Sequence, residues 1–360
     1  MPSSGSFVPS PLSPPPRPKK AVTSGRACEA LGLLRRVASS YRWLSQLALL
    51  GPLVLFAGRA QAVTVSDLYE TSQPVQGSRD AAFVDALKTV LVKVSGQRDA
   101  GARLAGEIGD PRQYVQRYSF TGDGSLEVGF DGPSIDKLLS GAGLPIWGRE
   151  RPATLVLLSV EGADGLARWI TADVMAHERD AIARAARDRG LPLKWPALGA
   201  TGFSPAEIDP GVLLQVAAQY DADAVLLGRS SGGLVHWTLV QQEGAAETSG
   251  SLEDGVHLAA DTFARIYAVS GSTLDSVVME ISGIAGLDAY ADTLNYLEGM
   301  TLVRSVAVEQ MAGDKLRLRL AVRGDAETLK RAIALDDRLV ALEAAPTGEA
   351  GGALAFRYQP

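Results

Sequence analysis

The residues Gly228-Arg-Ser-Ser-Gly232 match G-x-S-x-G, the spacing that in hydrolases lifts a nucleophilic serine onto a sharp strand-to-helix turn. Ser230 is the serine so placed, and Asp254 and His257 follow it in the order Ser, Asp, His. The chemistry would be acyl transfer. The surrounding pattern points elsewhere. Leu234-Val-His-Trp-Thr-Leu-Val240 alternates like a strand, so the glycines and serines before it read as a hairpin turn. Asp254 and His257 lie three apart on one expected helix, a spacing that does not aim an imidazole at Ser230. Ser134-Ile-Asp-Lys137 has the S-x-x-K form of penicillin-interacting enzymes but lacks S-D-N and K-T-G partners. His177-Glu178 opens like a zinc-binding H-E-x-x-H, but Ala181 stands where the second histidine belongs. Gly141-Ala-Gly143 runs into Leu144-Pro145 without a following helix, so it is no phosphate loop. No metal and no cofactor are expected.

The stretch that must hold such elements together is Gly143-Leu-Pro-Ile-Trp-Gly-Arg-Glu-Arg-Pro152. Its glycines and prolines make it a punctuated connection between two folded units. Residues 155–160 after it are almost continuously apolar, which suits a strand buried on both faces. Trp147, Gly148, Arg149, Arg151 and Pro152 form the expected structural junction. Trp147 should pack between the units, with Arg149 or Arg151 paired to a carboxylate across them.

The N-terminal residues point to export. Residues 1–20 are rich in Pro and Ser, basic residues follow at Arg26, Arg35, Arg36 and Arg42, and residues 44–57 form a short apolar core. Ala60-Gln61-Ala62 supplies a small-residue end, so 1–62 reads as a disordered leader with a signal peptide cleaved after Ala62. The lone cysteine, Cys28, would leave with it, so an oxidising compartment would not affect the remaining chain. The leader carries eight of the 35 Lys/Arg and one of the 41 Asp/Glu, leaving 27 basic against 40 acidic residues and a formal charge of −13. That balance argues against nucleic acid or an anionic membrane as a partner through bulk charge, and with no cysteine among Gln61, Ala62 and Val63 to carry a lipid, no stable membrane anchor is expected after cleavage. It favours a partner with a neutral or basic surface.

Periodicity divides the rest into three units. In residues 63–150, Val63, Val65, Leu68 and Tyr69 suggest a strand. Phe83, Val84, Leu87, Val90, Leu91 and Val94 recur at helical spacing, and Gly96 stands where a helix stops. A loop and short helix are expected through Pro111 to Tyr118, then a half-buried strand over 126–130 and a helix from Asp131-Gly-Pro-Ser134. Residues 151–272 alternate strands and helices as a layered α/β unit. Residues 273–360 give the order βαββαβ of a ferredoxin-like unit, with residues 339–342 as the last strand. The fold class is therefore α/β and α+β, in several small layered units.

Leu68-Tyr69-Glu70, Arg79, Ala86-Leu87, Val94-Ser95-Gly96, the junction Gly143–Pro152 and Ala222-Asp-Ala-Val-Leu-Leu-Gly-Arg229 together resemble a family of secreted proteobacterial proteins catalogued as domain of unknown function two-thousand-and-sixty-six. The resemblance spans residues 65–267. It implies the cell envelope as the compartment and no activity. The expected protein is thus a periplasmic, non-enzymatic binding or adaptor protein whose partner is an envelope protein or a cell-wall component, contacted through the third unit. A secreted serine hydrolase using Ser230 is the alternative.

Overall fold

The computed structural model describes residues 63–122, 124–162, 164–170, 176–197, 210–270, 274–342 and 353–360. The leader expected over 1–62 lies outside the described residues. The described residues belong to one packed unit.

Strand β1 (Val63–Thr64) pairs antiparallel with β5 (Glu150–Arg151), tying the start of the described chain to the junction. Between them, β2 (Glu70–Pro74), β3 (Val115–Phe120) and β4 (Ser125–Phe130) form a sheet in the order β2-β4-β3. Val65 and Leu68, expected in a strand, lie in the turn leading to β2. Helix α1 (Arg79–Ser95) begins where the Ser78 hydroxyl accepts the Ala81 N–H and ends at Gly96, whose φ of 72° suits a glycine stop. Its face of Phe83, Leu87, Val90, Leu91 and Val94 meets Leu126, Val128 and Phe130 of β4 in one core. Helix α2 (Ala100–Arg103) follows α1, and α3 (Gly132–Gly141) starts from the Asp131 cap with Pro133 in its first turn. The short helix expected through Tyr118 is a 3-10 turn, Pro111–Tyr114, that gives way to β3.

The second sheet runs β11-β10-β9-β6-β7, with β8 also on β6. Its strands are β6 (Thr154–Glu161), β7 (Ala167–Trp169), β8 (Leu193–Lys194), β9 (Ala224–Ser231), β10 (Leu234–Gln241) and β11 (Gly244–Gly250). β6 and β9 are parallel, and residues 155–158 and 224–227 are apolar because both of their faces are covered. On one face, Val156, Leu158 and Leu226 pack with Ile182 of α4 (Ala176–Arg189) and Phe263 of α6 (Leu252–Tyr267). On the other, Leu155, Leu157, Val225 and Leu227 pack with Leu213 and Ala217 of α5 (Pro210–Ala218).

The third sheet runs β13-β14-β12-β16-β15, built from β12 (Leu274–Ser282), β13 (Val303–Ala312), β14 (Lys315–Arg323), β15 (Leu339–Ala341) and β16 (Leu354–Tyr358). Helices α7 (Leu287–Gly299) and α8 (Ala326–Ile333) supply Leu297, Leu329 and Ile333 to its core. The ferredoxin-like order holds from β12 to β15, with one addition. The strand expected last is β15, at the sheet's edge, and β16 is inserted between it and β12, parallel to β12. Phe356 explains the insertion. It sits opposite Ile281 and is buried, whereas of β15 only Leu339 is buried.

Candidate functional site

The junction is assembled around Arg151. Trp147 is fully buried, and its backbone N–H donates to the Val94 carbonyl at 2.7 Å, locking the junction to the end of α1. The Arg151 guanidinium lies over the Trp147 ring at 3.9 Å. Arg151 Nε donates to Gly148 O at 2.8 Å, and Nη1 to Arg189 O at 2.8 Å and Gly190 O at 2.9 Å. Nη2 donates to Lys93 O at 2.7 Å and Trp147 O at 3.0 Å. A guanidinium has five N–H groups, so all are used. The expectation of a carboxylate partner is corrected for Arg151: its acceptors are backbone carbonyls. The last turns of α1 and α4 point their unpaired carbonyl oxygens into the same space, and those partial negative charges satisfy the cation. Gly190 has a φ of 62°, and a Cβ there would run into Arg151 Nη1, so both backbone and packing require glycine. Burial, with the charge of Arg189 second, pushes the Arg151 guanidinium down to about 9. It remains charged at neutral pH.

Gly148, Arg149 and Glu150 face the third unit. The Arg149 backbone N–H donates to Thr301 Oγ1 at 3.1 Å, and Gly148 lies close enough to Thr301 that a Cβ would crowd it. Burial raises the Glu150 carboxyl above its ordinary range, against the lowering effect of hydrogen bonds from its own and the Thr301 backbone. Pro152 is buried and leads into β6.

The Arg149 side chain borders an open cleft of about 540 Å³ between the β2-β4-β3 sheet and the turn from α7 into β13. Its guanidinium lies over the Tyr69 ring at 5.7 Å. The Tyr69 hydroxyl donates to Asp136 Oδ1 at 2.8 Å, and Arg323 Nη1 reaches Asp136 Oδ2 at 3.0 Å, a buried chain behind the cleft wall. Burial first, and the Asp136 charge second, raise the Tyr69 phenol, so it keeps its proton. The other wall carboxylates are mostly engaged. Glu70 pairs with Arg117 at 2.6 Å, and Asp131 caps α3 through the Ser134 N–H at 3.0 Å. Among the described residues neither Arg149 nor Arg304, the cations of the lining, has a carboxylate within ion-pair distance, and exposed Glu298 has no such cation. The expected carboxylate partner is thus missing for Arg149 as well. Its ring stacking holds the side chain instead.

The cleft opens onto β13. This ten-residue strand is the edge of its sheet and is exposed over most of its length. Its register breaks between Val303 and Ser305 and again between Val308 and Gln310, so Arg304 sits at a bulge. Bulges re-aim side chains and shorten the regular edge. Val308 lies opposite Leu318 and Met311 opposite Leu316, on the face that carries the core leucines, yet they remain 45% and 48% exposed. The opposite face of the sheet carries the surface ion pairs Glu280–Arg317 and Glu309–Arg319, which contribute little to stability.

Ser230 lies within β9, opposite Val235 of β10. The β9–β10 connection is the two-residue turn Gly232-Gly233, with φ of 61° and 84°, the geometry of a tight hairpin. Gly228 has a different task. A Cβ there would collide with the Trp237 ring, which is held between Gly228 and Gly255 while its Nε1–H donates to Ser251 O at 2.9 Å. Asp254 accepts from the Ser251 N–H at 2.7 Å as part of the α6 cap, and His257 Nδ1 lies 3.2 Å from Arg189 Nη1. Neither is bonded to Ser230.

Residues 62–148 match a family model described as Domain of unknown function (DUF8605). This overturns the resemblance to family two-thousand-and-sixty-six. The matching family is a different one, and it stops at Gly148, so Arg149–Pro152 and Ala222–Arg229 fall outside it. The motif fragments misled because several are generic structural solutions: Val94-Ser95-Gly96 is a helix stop, and residues 224–227 are a strand covered on both faces. No curated protein and no solved structure matches the chain.

Proposed function

We propose that the chain is an exported, non-enzymatic binding or adaptor protein of the periplasm, and that β13 is its contact strand. One observation carries this reading. Among the described residues, a long sheet edge offers unpaired backbone groups beside two uncovered apolar side chains, Val308 and Met311. An extended segment of a partner can add to such an edge through main-chain hydrogen bonds and bury those side chains. Its two bulges limit indiscriminate pairing, as edges of natural proteins do. The candidate nucleophile Ser230 is held in a β-ladder, and Asp254 and His257 are engaged elsewhere, which supports binding over catalysis. Export rests on the leader sequence alone, and a family match beginning at residue 62 is consistent with a domain that starts where the leader ends.

The test compares partners crosslinked in living cells to the natural chain and to Val308→Asp. Loss of the main partner in the variant is the expected result. Identical recovery would remove β13 from the argument. Ester or amide hydrolysis by the natural chain, abolished in Ser230→Ala, would overturn the non-enzymatic reading.

A further inference from the structure

We infer that the cleft at the head of β13 captures the free C-terminal carboxylate of an extended partner segment. This rests on the reading of β13 as the contact strand, and three features of the fold lead to it. The first is direction. β13 starts at the cleft, since Val303 and Arg304 line it. A segment added antiparallel to β13 therefore runs towards Val303 and ends in the cleft. The second is charge. Arg149 and Arg304 both line it, and among the described residues neither has an ion-pair partner, in a chain whose residues beyond 62 carry an excess of acid. Arg149 is already oriented on the Tyr69 ring, so little side-chain freedom is lost when an anion binds. The third is the limit on that charge. Glu70, Asp131 and Asp136 are engaged but stay in the wall, and Glu298 stands unpaired at the rim. Such a wall tolerates one carboxylate and opposes a multiply charged phosphate. A guanidinium matches a carboxylate through two parallel N–H donors. The bulge at Arg304 is the device that turns this side chain off the regular strand alternation.

The experiment is selection of binders by the processed full-length chain from two displayed random-peptide libraries. One ends in a free C-terminus, and the other places the peptide inside the carrier. Binders should be enriched from the first library alone. For a selected peptide, changing the terminal carboxylate to an amide should weaken binding by about ten-fold or more in fluorescence anisotropy, since charge-assisted pairs are about twice as strong as neutral ones. The acid–amide difference should vanish in the double variant Arg149→Gln, Arg304→Gln. It should persist in part in Arg149→Lys, which keeps the charge and separates its loss from a folding defect. Equal enrichment from both libraries, enrichment from neither, or an acid–amide difference that survives the double variant would overturn the carboxylate capture. The contact-strand reading fails separately, through unchanged cellular crosslinking of Val308→Asp.

Discussion

Replacing Asp223 by asparagine should stabilise the protein above pH 6 and leave it nearly unchanged at acid pH. Asp223 sits just before β9, where one carboxylate oxygen accepts the Ala153 N–H at 2.7 Å. The other oxygen is buried without a hydrogen-bond partner. Burial, reinforced by the Asp337 charge and only partly opposed by the Ala153 hydrogen bond, pushes the carboxyl up from 3.8 to about 6. Because the folded chain holds this proton more tightly than the unfolded chain, the penalty is absent below 3.8. It grows as pH rises to 6 and is complete above that. At about 1.4 kcal/mol per pH unit, the interval from 3.8 to 6 corresponds to about 3 kcal/mol. Asparagine keeps an acceptor for Ala153 and removes the buried charge that Asp337 opposes. Urea unfolding of both proteins between pH 4 and 8 reads the difference directly. The variant should gain about 2–3 kcal/mol at pH 8, and the gain should shrink towards zero near pH 4. A variant equal to or weaker than the natural chain at pH 8 would refute the assignment of a strained, charged Asp223.

Three further outcomes follow from the same packing. Trp147→Ala removes a fully buried aromatic and should cost about 3–5 kcal/mol, lowering the thermal midpoint. Arg151→Lys offers three donors to five carbonyls, so at least two stay unpaired at about 1–3 kcal/mol each, and denaturant midpoints should drop accordingly. His257→Gln should flatten the loss of stability between pH 7 and 5. Burial and the neighbouring Arg189 and Arg98 charges lower the folded histidine's affinity for a proton, so the natural chain loses stability as pH falls through the ordinary histidine value of 6.5.

What the sequence made legible follows from how each element is buried. Helix α1 has an apolar stripe and caps at both ends, and β6 and β9 are apolar where both of their faces are covered, so each leaves a readable pattern. The hairpin after Ser230 was readable because β10 alternates. Strands β3 and β11 were missed. Each lies at a sheet edge, where exposure on both faces permits Gln116-Arg117-Tyr118-Ser119 or Gly244-Ala-Ala-Glu-Thr-Ser-Gly250 and leaves no hydrophobic period. β16 was missed because nothing local announces that a strand will be inserted between two others.

The candidate site was hidden for a different reason. Trp147, Arg149 and Arg151 could be singled out as a large aromatic and two cations in a connector, but their partners could not. Five of those partners are backbone carbonyls, which every residue carries, and Arg149 and Arg304 converge on the cleft from 155 positions apart in number. One signal was available. Gly96 and Gly190 each mark a helix stop, and a shared cation is favoured where two helix C-termini pack together. Arg151 is that cation, which is why a junction that looked ready for an ion pair is instead closed by backbone. The other arginine, Arg149, lies over the Tyr69 ring and borders the cleft.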